Sequence, residues 1–397
     1  MGSLVESVEI LLLIAALVSI LARRLRLPYT VGLVFAGLAL AFAPHLPQVR
    51  LTQDLVFKAL LPPLLFEAAF QIEWKELKRE LGVVLLLATV GVLISAALMA
   101  AAVHYGAGWA WGSAIVLATL LSATDPVAVI SVFKDVGLKG RLAMLLESES
   151  LFNDGTAAVL FVIALGVANG GTVSAGNIAG SFLLSTCGGV LCGLLVGGLA
   201  LLLTGRTDDH LVEIAFTSIS AYGAFLLAEH FHLSGVLATL ATGLLLGNVG
   251  SLGAISDKGR EAVESFWEYI AFVANSLIFL LIGVSLATLP IFETWYAAVI
   301  VISAMLVSRA VAVYGCCAIF SRTEARVDAN CQHVMVWGGL RGALALALVL
   351  GLPDTFERRQ DILYVTFAAV AFSVILQGLT IKPLMKGFGI LGPTANR

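Results

Sequence analysis

A largely apolar segment of this chain contains the polar sequence Glu147-Ser148-Glu149-Ser150-Leu151-Phe152-Asn153-Asp154. On insertion scales, placing one charged group at the centre of a bilayer costs about 3 kcal/mol or more. Three carboxyl groups and an amide in one such segment therefore indicate a site that binds, moves or exchanges something charged.

The composition of the chain is that of a membrane protein with many spans. Of its 397 residues, 59% are hydrophobic and 12% are charged, and the mean hydropathy is +1.00. A soluble protein carries about 25% charged residues, and the chain also has apolar runs longer than about 18 residues. The net charge of -3, without a basic arm or a glycine-rich phosphate loop, gives no indication of nucleic acid or of a cofactor.

The hydropathy pattern predicts an all-α fold of thirteen spanning segments, at about 4–22, 29–44, 54–72, 80–104, 108–133, 141–168, 175–203, 208–229, 233–249, 266–288, 291–319, 331–351 and 361–386. With the N-terminus outside, seventeen lysines and arginines fall in cytoplasmic loops, and only Arg50, Arg358 and Arg359 lie outside. Positive residues concentrate on the cytoplasmic side of membrane proteins. The sequence therefore predicts an external N-terminus and a cytoplasmic C-terminus in the cell membrane.

An odd number of spans allows two inverted six-helix repeats, helices 1–6 and 8–13, joined by helix 7. Helix 5 then corresponds to helix 12, and both are interrupted, by Thr124-Asp125-Pro126 and by Trp337-Gly338-Gly339-Leu340-Arg341-Gly342. Paired interrupted helices in equivalent halves point to a transport site near the bilayer midplane. The halves share no close sequence identity, so the repeat rests on topology alone.

The interruption of helix 5 offers oxygen ligands at membrane depth. Pro126 has no amide hydrogen, so it frees the carbonyl of Ser122 one turn earlier. Asp125 supplies a carboxylate and Thr124 a hydroxyl and a carbonyl, which suit a small hard cation. The alternative is a proline kink with a satisfied aspartate.

On helix 6, the pairs Ser150 with Asp154 and Glu149 with Asn153 are four residues apart, so each pair shares a helix face. Asp154 is the deeper acid. Because burial disfavours the charged form of a carboxyl group, Asp154 is suited to hold either a proton or a cation. The alternative is a structural aspartate in an ion pair.

Three further charged residues lie inside predicted spans. Glu67 follows a proline pair on helix 3 and is either a second group of the same cavity or structural. Arg309 stays charged and needs an anionic partner, for which Glu149 is the candidate. Arg341 follows two glycines, and the sequence leaves open whether it pairs with an acid or faces open carbonyls.

Three motifs then occur in order, namely Ser122-Ala123-Thr124-Asp125-Pro126-Val127-Ala128, Glu149-Ser150-Leu151-Phe152-Asn153-Asp154-Gly155 and Gly338-Gly339-Leu340-Arg341-Gly342-Ala343. Their combination across thirteen predicted spans resembles the monovalent cation:proton antiporter-1 family of sodium/proton exchangers, over about residues 5–390. The resemblance implies a homodimer in which a core moves the ion by an elevator motion.

The resemblance also implies how the chain divides. Helices 1–3 (residues 1–79) and 8–10 (207–289) would form the dimerisation domain. Helices 4–6 (80–168) and 11–13 with a short C-terminal tail (290–397) would form the moving core, and helix 7 (169–206) would link the halves.

For the site, the resemblance implies that Asp154 carries cation and proton in turn. Asn153 is expected to hold the broken helices together, and Arg309 to pair with Glu149. Relatives with a second aspartate in place of the asparagine are electrogenic, so Asn153 implies electroneutral exchange of one cation for one proton. The positions expected to complete or support the ion site are Thr124, Asp125, Ser150 and Glu67.

The leading hypothesis is therefore sodium/proton antiport in which both ions compete for Asp154. A close alternative is potassium/proton or lithium/proton antiport, because the same oxygens suit all three cations. A channel, a sensor without transport and an enzyme are more distant alternatives. The six histidines are scattered near span ends and form no metal or triad pattern.

Overall fold

The computed structural model describes residues 2–25, 27–42, 51–136, 140–170, 174–206, 209–250 and 255–390. These residues form helices and no strand. One isolated antiparallel β-bridge joins Asp125 to Leu340. An all-helical fold leaves no open sheet edge for hydrocarbon to meet, as a membrane requires.

The helices follow one another along the chain as α1 (Gly2–Leu25), α2 (Tyr29–Leu40), α3 (Leu61–Gln71), α4 (Trp74–Leu86), α5 (Val92–Ala107), α6 (Trp111–Leu120), α7 (Val127–Val136), α8 (Arg141–Ala168), α9 (Ala175–Thr204), α10 (His210–His230), α11 (Gly235–Val249), α12 (Asp257–Thr288), α13 (Trp295–Ile319), α14 (Ala329–Gly338), α15 (Ala343–Leu350), α16 (Arg359–Phe372) and α17 (Gly378–Gly387). Three π-helical turns precede α3, join α4 to α5 and join α16 to α17, at Leu55–Leu60, Leu87–Gly91 and Ser373–Gln377.

Within the described residues, seven helical stretches are long and apolar enough to cross a membrane, namely Trp74–Ala107, Arg141–Ala168, Gly176–Thr204, His210–His230, Lys258–Thr288, Trp295–Ile319 and Arg359–Gly387. Three shorter apolar helices are α2, α6 and α11. The predicted span 108–133 is built as two half-helices, α6 and α7, and the span 331–351 as α14 and α15.

Two helices begin earlier than their apolar parts. The predicted spans start at 80 and 266, whereas α4 starts at Trp74 and α12 at Asp257. The first turns of α4 are amphipathic, with Leu77 buried and Lys75 and Lys78 exposed. A hydropathy average over such turns stays low, because charged residues offset the buried ones.

The helices pack in two groups. In one, α2 runs along α12, α3 along α11, and α10 against α11 and α12, with α1 against α2. In the other, α5 runs along α13, α6 packs on α5 and α8, and α13 contacts α14 and α16. Helix α9 lies against α10, α11 and α8.

Close backbone contact holds α2 to α12. A Cβ atom on Gly37 would lie 3.0 Å from the Cα of Gly283, and one on Gly283 would lie 2.7 Å from the amide nitrogen of Leu38. Small residues let membrane helices approach to this extent, and van der Waals contact then stabilises the pair.

Replacing Gly283 by leucine should force these two helices apart, at a cost of about 1–3 kcal/mol. We expect a lower apparent melting temperature of the purified protein in detergent. Gly315→Leu is the matched control, because no atom lies within 4 Å of a Cβ added at Gly315 on α13. Equal melting temperatures for the two variants would contradict the close contact of α2 and α12.

Candidate functional site

The two helix breaks lie against each other. Helix α6 ends at Leu120 and α7 begins at Val127, while α14 ends at Gly338 and α15 begins at Ala343. The amide of Asp125 in the first break donates to the carbonyl of Leu340 in the second, at 2.8 Å. Each break therefore satisfies part of the backbone that the other exposes.

The side chain of Asp125 lies at two helix N-termini. Its Oδ1 accepts the amide of Val127 at the start of α7, at 2.9 Å, and the amide of Ala343 at the start of α15 also bonds to its carboxylate. A carboxylate is stabilised there because helix N-termini carry partial positive charge. A side chain at Gly342 would overlap the Asp125 carboxylate, so this glycine makes room for it.

Arg341 lies at the C-terminal end of α6. Its Nη1 donates to the carbonyls of Ala123, at 2.9 Å, and Ser122, at 3.4 Å. The residue is 1% exposed, and its Nε has no hydrogen-bond partner among the described atoms. Of the two partners left open by the sequence, the structure places Arg341 on the carbonyls that the break exposes.

Arg309 joins α13 to α8 and α14. Its Nη1 and Nη2 donate to the two carboxylate oxygens of Glu149, at 2.6 and 2.7 Å. Its Nη2 and Nε also donate to the carbonyl of Met335 near the end of α14, at 3.1 and 3.3 Å. Gly339 makes room for the guanidinium, since a Cβ there would lie 2.6 Å from Nε.

Asn153 and Ser150 tie α8 to the first break. The amide of Thr124 donates to Oδ1 of Asn153, at 3.0 Å, and Nδ2 of Asn153 donates to Oγ1 of Thr124, at 2.5 Å, and to Glu149, at 3.2 Å. The hydroxyl of Ser150 donates to the carbonyl of Thr124. The unwound segment is thus held at the amide, the hydroxyl and the carbonyl of Thr124.

Asp154 differs from the neighbouring carboxylates in its hydrogen bonding. Its Oδ1 is buried and has no hydrogen-bond partner among the described atoms. It lines a cavity of about 300 Å³, and the sequence-predicted site residues that share this lining are Glu67, Thr124, Asp125 and Ser150. Glu149, Asn153, Arg309 and Arg341 lie behind the cavity wall.

The cavity lies between the two packing groups. One wall comes from α1, α2, α3 and α12, and the other from the first break, α7, α8 and α15. Further polar residues of the lining, which the sequence analysis did not single out, include Arg23, Tyr29, Glu268 and Asn275. Each belongs to no motif, so no sequence signal marked it.

No three or more His, Cys, Asp and Glu side chains in the described part of the chain are grouped to hold a metal ion. Among the lining residues, Asp154 instead keeps one buried carboxylate oxygen without a partner in the described part of the chain, near the hydroxyl and carbonyl oxygens of Thr124 and Ser150. Such a set can hold a weakly bound monovalent cation or, at the carboxylate, a proton.

Comparisons with known proteins agree with one another. A family model described as the transmembrane sodium/hydrogen exchanger matches residues 11–387. The low-affinity Na+/H+ antiporter NhaS1 of Synechocystis sp. is 38% identical over 378 residues, which cover 94% of this chain and 72% of that protein. The Na+/H+ antiporter NhaH of Halobacillus aidingensis is 35% identical over 398 residues, which cover 96% and 98%.

The fold is similar to a solved structure of the sodium proton antiporter MjNhaP1 from Methanocaldococcus jannaschii at pH 8. The TM-score is 0.75 with 20% identity, over 98% of this chain and 100% of that one. The family model and the two relatives confirm the resemblance stated from the motifs. The chain belongs to the transmembrane sodium/hydrogen exchanger family.

Proposed function

We propose that this protein is a secondary active antiporter that exchanges one Na+ for one proton, and that both ions use Asp154 in turn. The observation that carries the proposal is that Asp154 lines the cavity and keeps a buried carboxylate oxygen without a hydrogen-bond partner among the described atoms. A carboxylate left in this way binds whichever cation is available, so sodium and protons exclude each other.

The other predicted site residues differ in the hydrogen bonds that they already make. Thr124 and Ser150 line the cavity beside Asp154 and supply further oxygens to the cation. Asp125 is engaged by two helix N-termini, so it contributes mainly negative potential. Glu67 lines the opposite wall, on α3, and is hydrogen-bonded to Gln71 at 2.5 Å. We assign it the first contact with an entering cation.

The charges around the breaks support electroneutral exchange. Two arginines, Arg309 and Arg341, and three carboxyl groups, Glu149, Asp125 and Asp154, lie there. With Asp154 ionised the set carries one net negative charge, and with one proton or one Na+ on Asp154 it is neutral. Because charge is costly in hydrocarbon, the loaded forms cross and the empty form is held back. The same arithmetic holds for K+ or Li+, so the choice of cation rests on the family relationship.

The movement we propose is an elevator motion of the core, helices 4–6 and 11–13 of the thirteen-span topology, against a dimerisation domain in a homodimer. Its support is that the cavity follows the boundary between the two packing groups. The charges of the loops support an external N-terminus and a cytoplasmic C-terminus. Since the cavity reaches Arg23 and Glu147, this orientation makes it open to the cytoplasm.

Removing the carboxylate should abolish exchange. We expect liposomes containing the protein to show proton movement on addition of Na+, and liposomes containing Asp154→Asn to show none. Adding K+ or Li+ instead ranks the cations. Asp361→Asn, which alters a half-buried acid outside the cavity, is the control. Cation flux that needs no counter-moving proton, or that survives in Asp154→Asn, would favour a channel.

Competition sets the pH dependence. Protons displace Na+ from Asp154, so the KM for Na+ should rise by up to about tenfold for each unit by which pH falls on the acid side. The maximal rate at saturating Na+ should change little over the same range. If acidification instead lowers the maximal rate at constant KM, the two ions do not share one site.

The pair formed by Arg309 and Glu149 should be a structural requirement. Glu149→Leu or Arg309→Met leaves one buried charge without its partner and should destabilise the protein by about 3–5 kcal/mol. The double variant should recover part of the lost melting temperature. Loss of the exposed pair of Arg358 and Asp361, at 3.0 Å, should matter little, because exposed ion pairs contribute about 0–1 kcal/mol. Additive losses in the double variant would argue against this assignment.

A further inference from the structure

Two buried side chains of the last described helices hold the second break. Ser373 and Gln377 bound the π-helical turn between α16 and α17, and they are 0% and 1% exposed. Buried polar groups are costly in an apolar setting unless they are hydrogen-bonded. Because Ser373 and Gln377 lie in the apolar segment 361–386, their side chains need hydrogen-bond partners within the protein.

Both side chains bond to backbone at the edges of the break between α14 and α15, Ser373 within the break and Gln377 in the last turn of α14. The amide of Arg341 donates to Oγ of Ser373, at 3.1 Å, and Nε2 of Gln377 donates to the carbonyl of Trp337, at 3.0 Å. The hydroxyl of Ser373 in turn donates to Oε1 of Gln377. The two side chains, here termed the Ser373–Gln377 bracket, thus grip the backbone on either side of residues 338–340.

The bracket resembles the arrangement at the first break. There Ser150 and Asn153, a hydroxyl and an amide on α8, bond to the carbonyl and the amide of Thr124. The residue after Asn153 is Asp154, whereas the residue after Gln377 is Gly378. The hydroxyl and amide at the first break therefore stand next to a carboxylate that can exchange its cation, whereas the matching pair at the second break is followed by a glycine.

The bracket reaches the cation site through Arg341. The amide of Arg341 is fixed by Ser373, and its guanidinium bonds to the carbonyl of Ala123, the residue before Thr124. If the backbone at Arg341 moves, the carbonyls of Ser122 and Ala123 lose their partner and must turn toward another. Thr124 then shifts relative to Asp154.

We propose that Ser373 and Gln377 are positioning residues that set the affinity of the cation site without touching the cation. Side chains that orient ligands in this way change metal affinity by about 10–100-fold when they are replaced. The inference rests on the proposed function of the Asp154 site. A bracket that only stabilised the fold would change melting temperature and leave the KM for Na+ unchanged.

The test compares variants in liposomes by Na+-dependent proton flux. Ser373→Ala and Gln377→Leu should each raise the KM for Na+ about tenfold, while Ser373→Thr, which keeps the hydroxyl, should restore a KM near that of the unmodified protein. Thr380→Ala is the matched control. Thr380 accepts the indole N–H of Trp337, at 2.9 Å, from the same helix but touches no backbone of the break, so its KM should stay unchanged.

A second readout is the rise in melting temperature on adding Na+, which should need more Na+ in Ser373→Ala than in Thr380→Ala. Because Ser373→Ala removes only one oxygen atom, it tests the inference even if Gln377→Leu does not fold. An unchanged KM in Ser373→Ala, with unmodified protein active, would overturn the inference alone. No Na+-dependent flux in the unmodified protein would instead overturn the proposed function.

Discussion

Hydrocarbon cannot hydrogen-bond to a peptide group, and the rest of the site depends on this constraint. A spanning helix that breaks in the bilayer exposes amides and carbonyls that must find partners within the protein. This chain breaks twice, at residues 121–126 and 339–342. It satisfies the exposed groups with the charged side chains of Asp125, Arg309 and Arg341 and with the polar groups of two neighbouring helices. Most polar residues around the cavity serve to satisfy these exposed backbone groups.

The chemistry of the site depends on the polar group that these contacts leave without a hydrogen-bond partner. Asp125 is engaged by helix N-termini, Glu149 by Arg309, and Asn153 by Thr124. Asp154 alone among these groups keeps a buried oxygen without a hydrogen-bond partner in the described part of the chain. A carboxylate with one unpartnered oxygen has room for a single positive charge, which is the physical basis of the proposed exchange of one ion per crossing. The glycines at 339 and 342 belong to the same arrangement, because any larger residue would displace the charged groups.

Much of this was predictable from the sequence. Pro126 and the glycines at 338 and 339 predict the two breaks, and charged residues in apolar segments predict the candidate site residues, because each charge is costly in a membrane without a partner. The partners were harder to predict. Arg341 could face an acid or carbonyls, and only the meeting of the two breaks in space decides between them. Ser373 and Gln377 escaped notice because neutral polar residues cost less in hydrocarbon and stand out less from an apolar segment. The early starts of α4 and α12 were missed because averaged hydropathy falls where a helix becomes amphipathic.

In the proposed exchange, one positive charge on Asp154 makes the moving unit neutral. The most direct test is the null point in sealed liposomes, where opposing gradients of Na+ and protons give no net proton flux. We expect zero flux whenever the ratio of Na+ across the membrane equals the ratio of protons, whatever membrane potential is imposed with K+ and valinomycin. A null point that moves with the potential would show that net charge crosses in each cycle, and would rule out electroneutral exchange through Asp154.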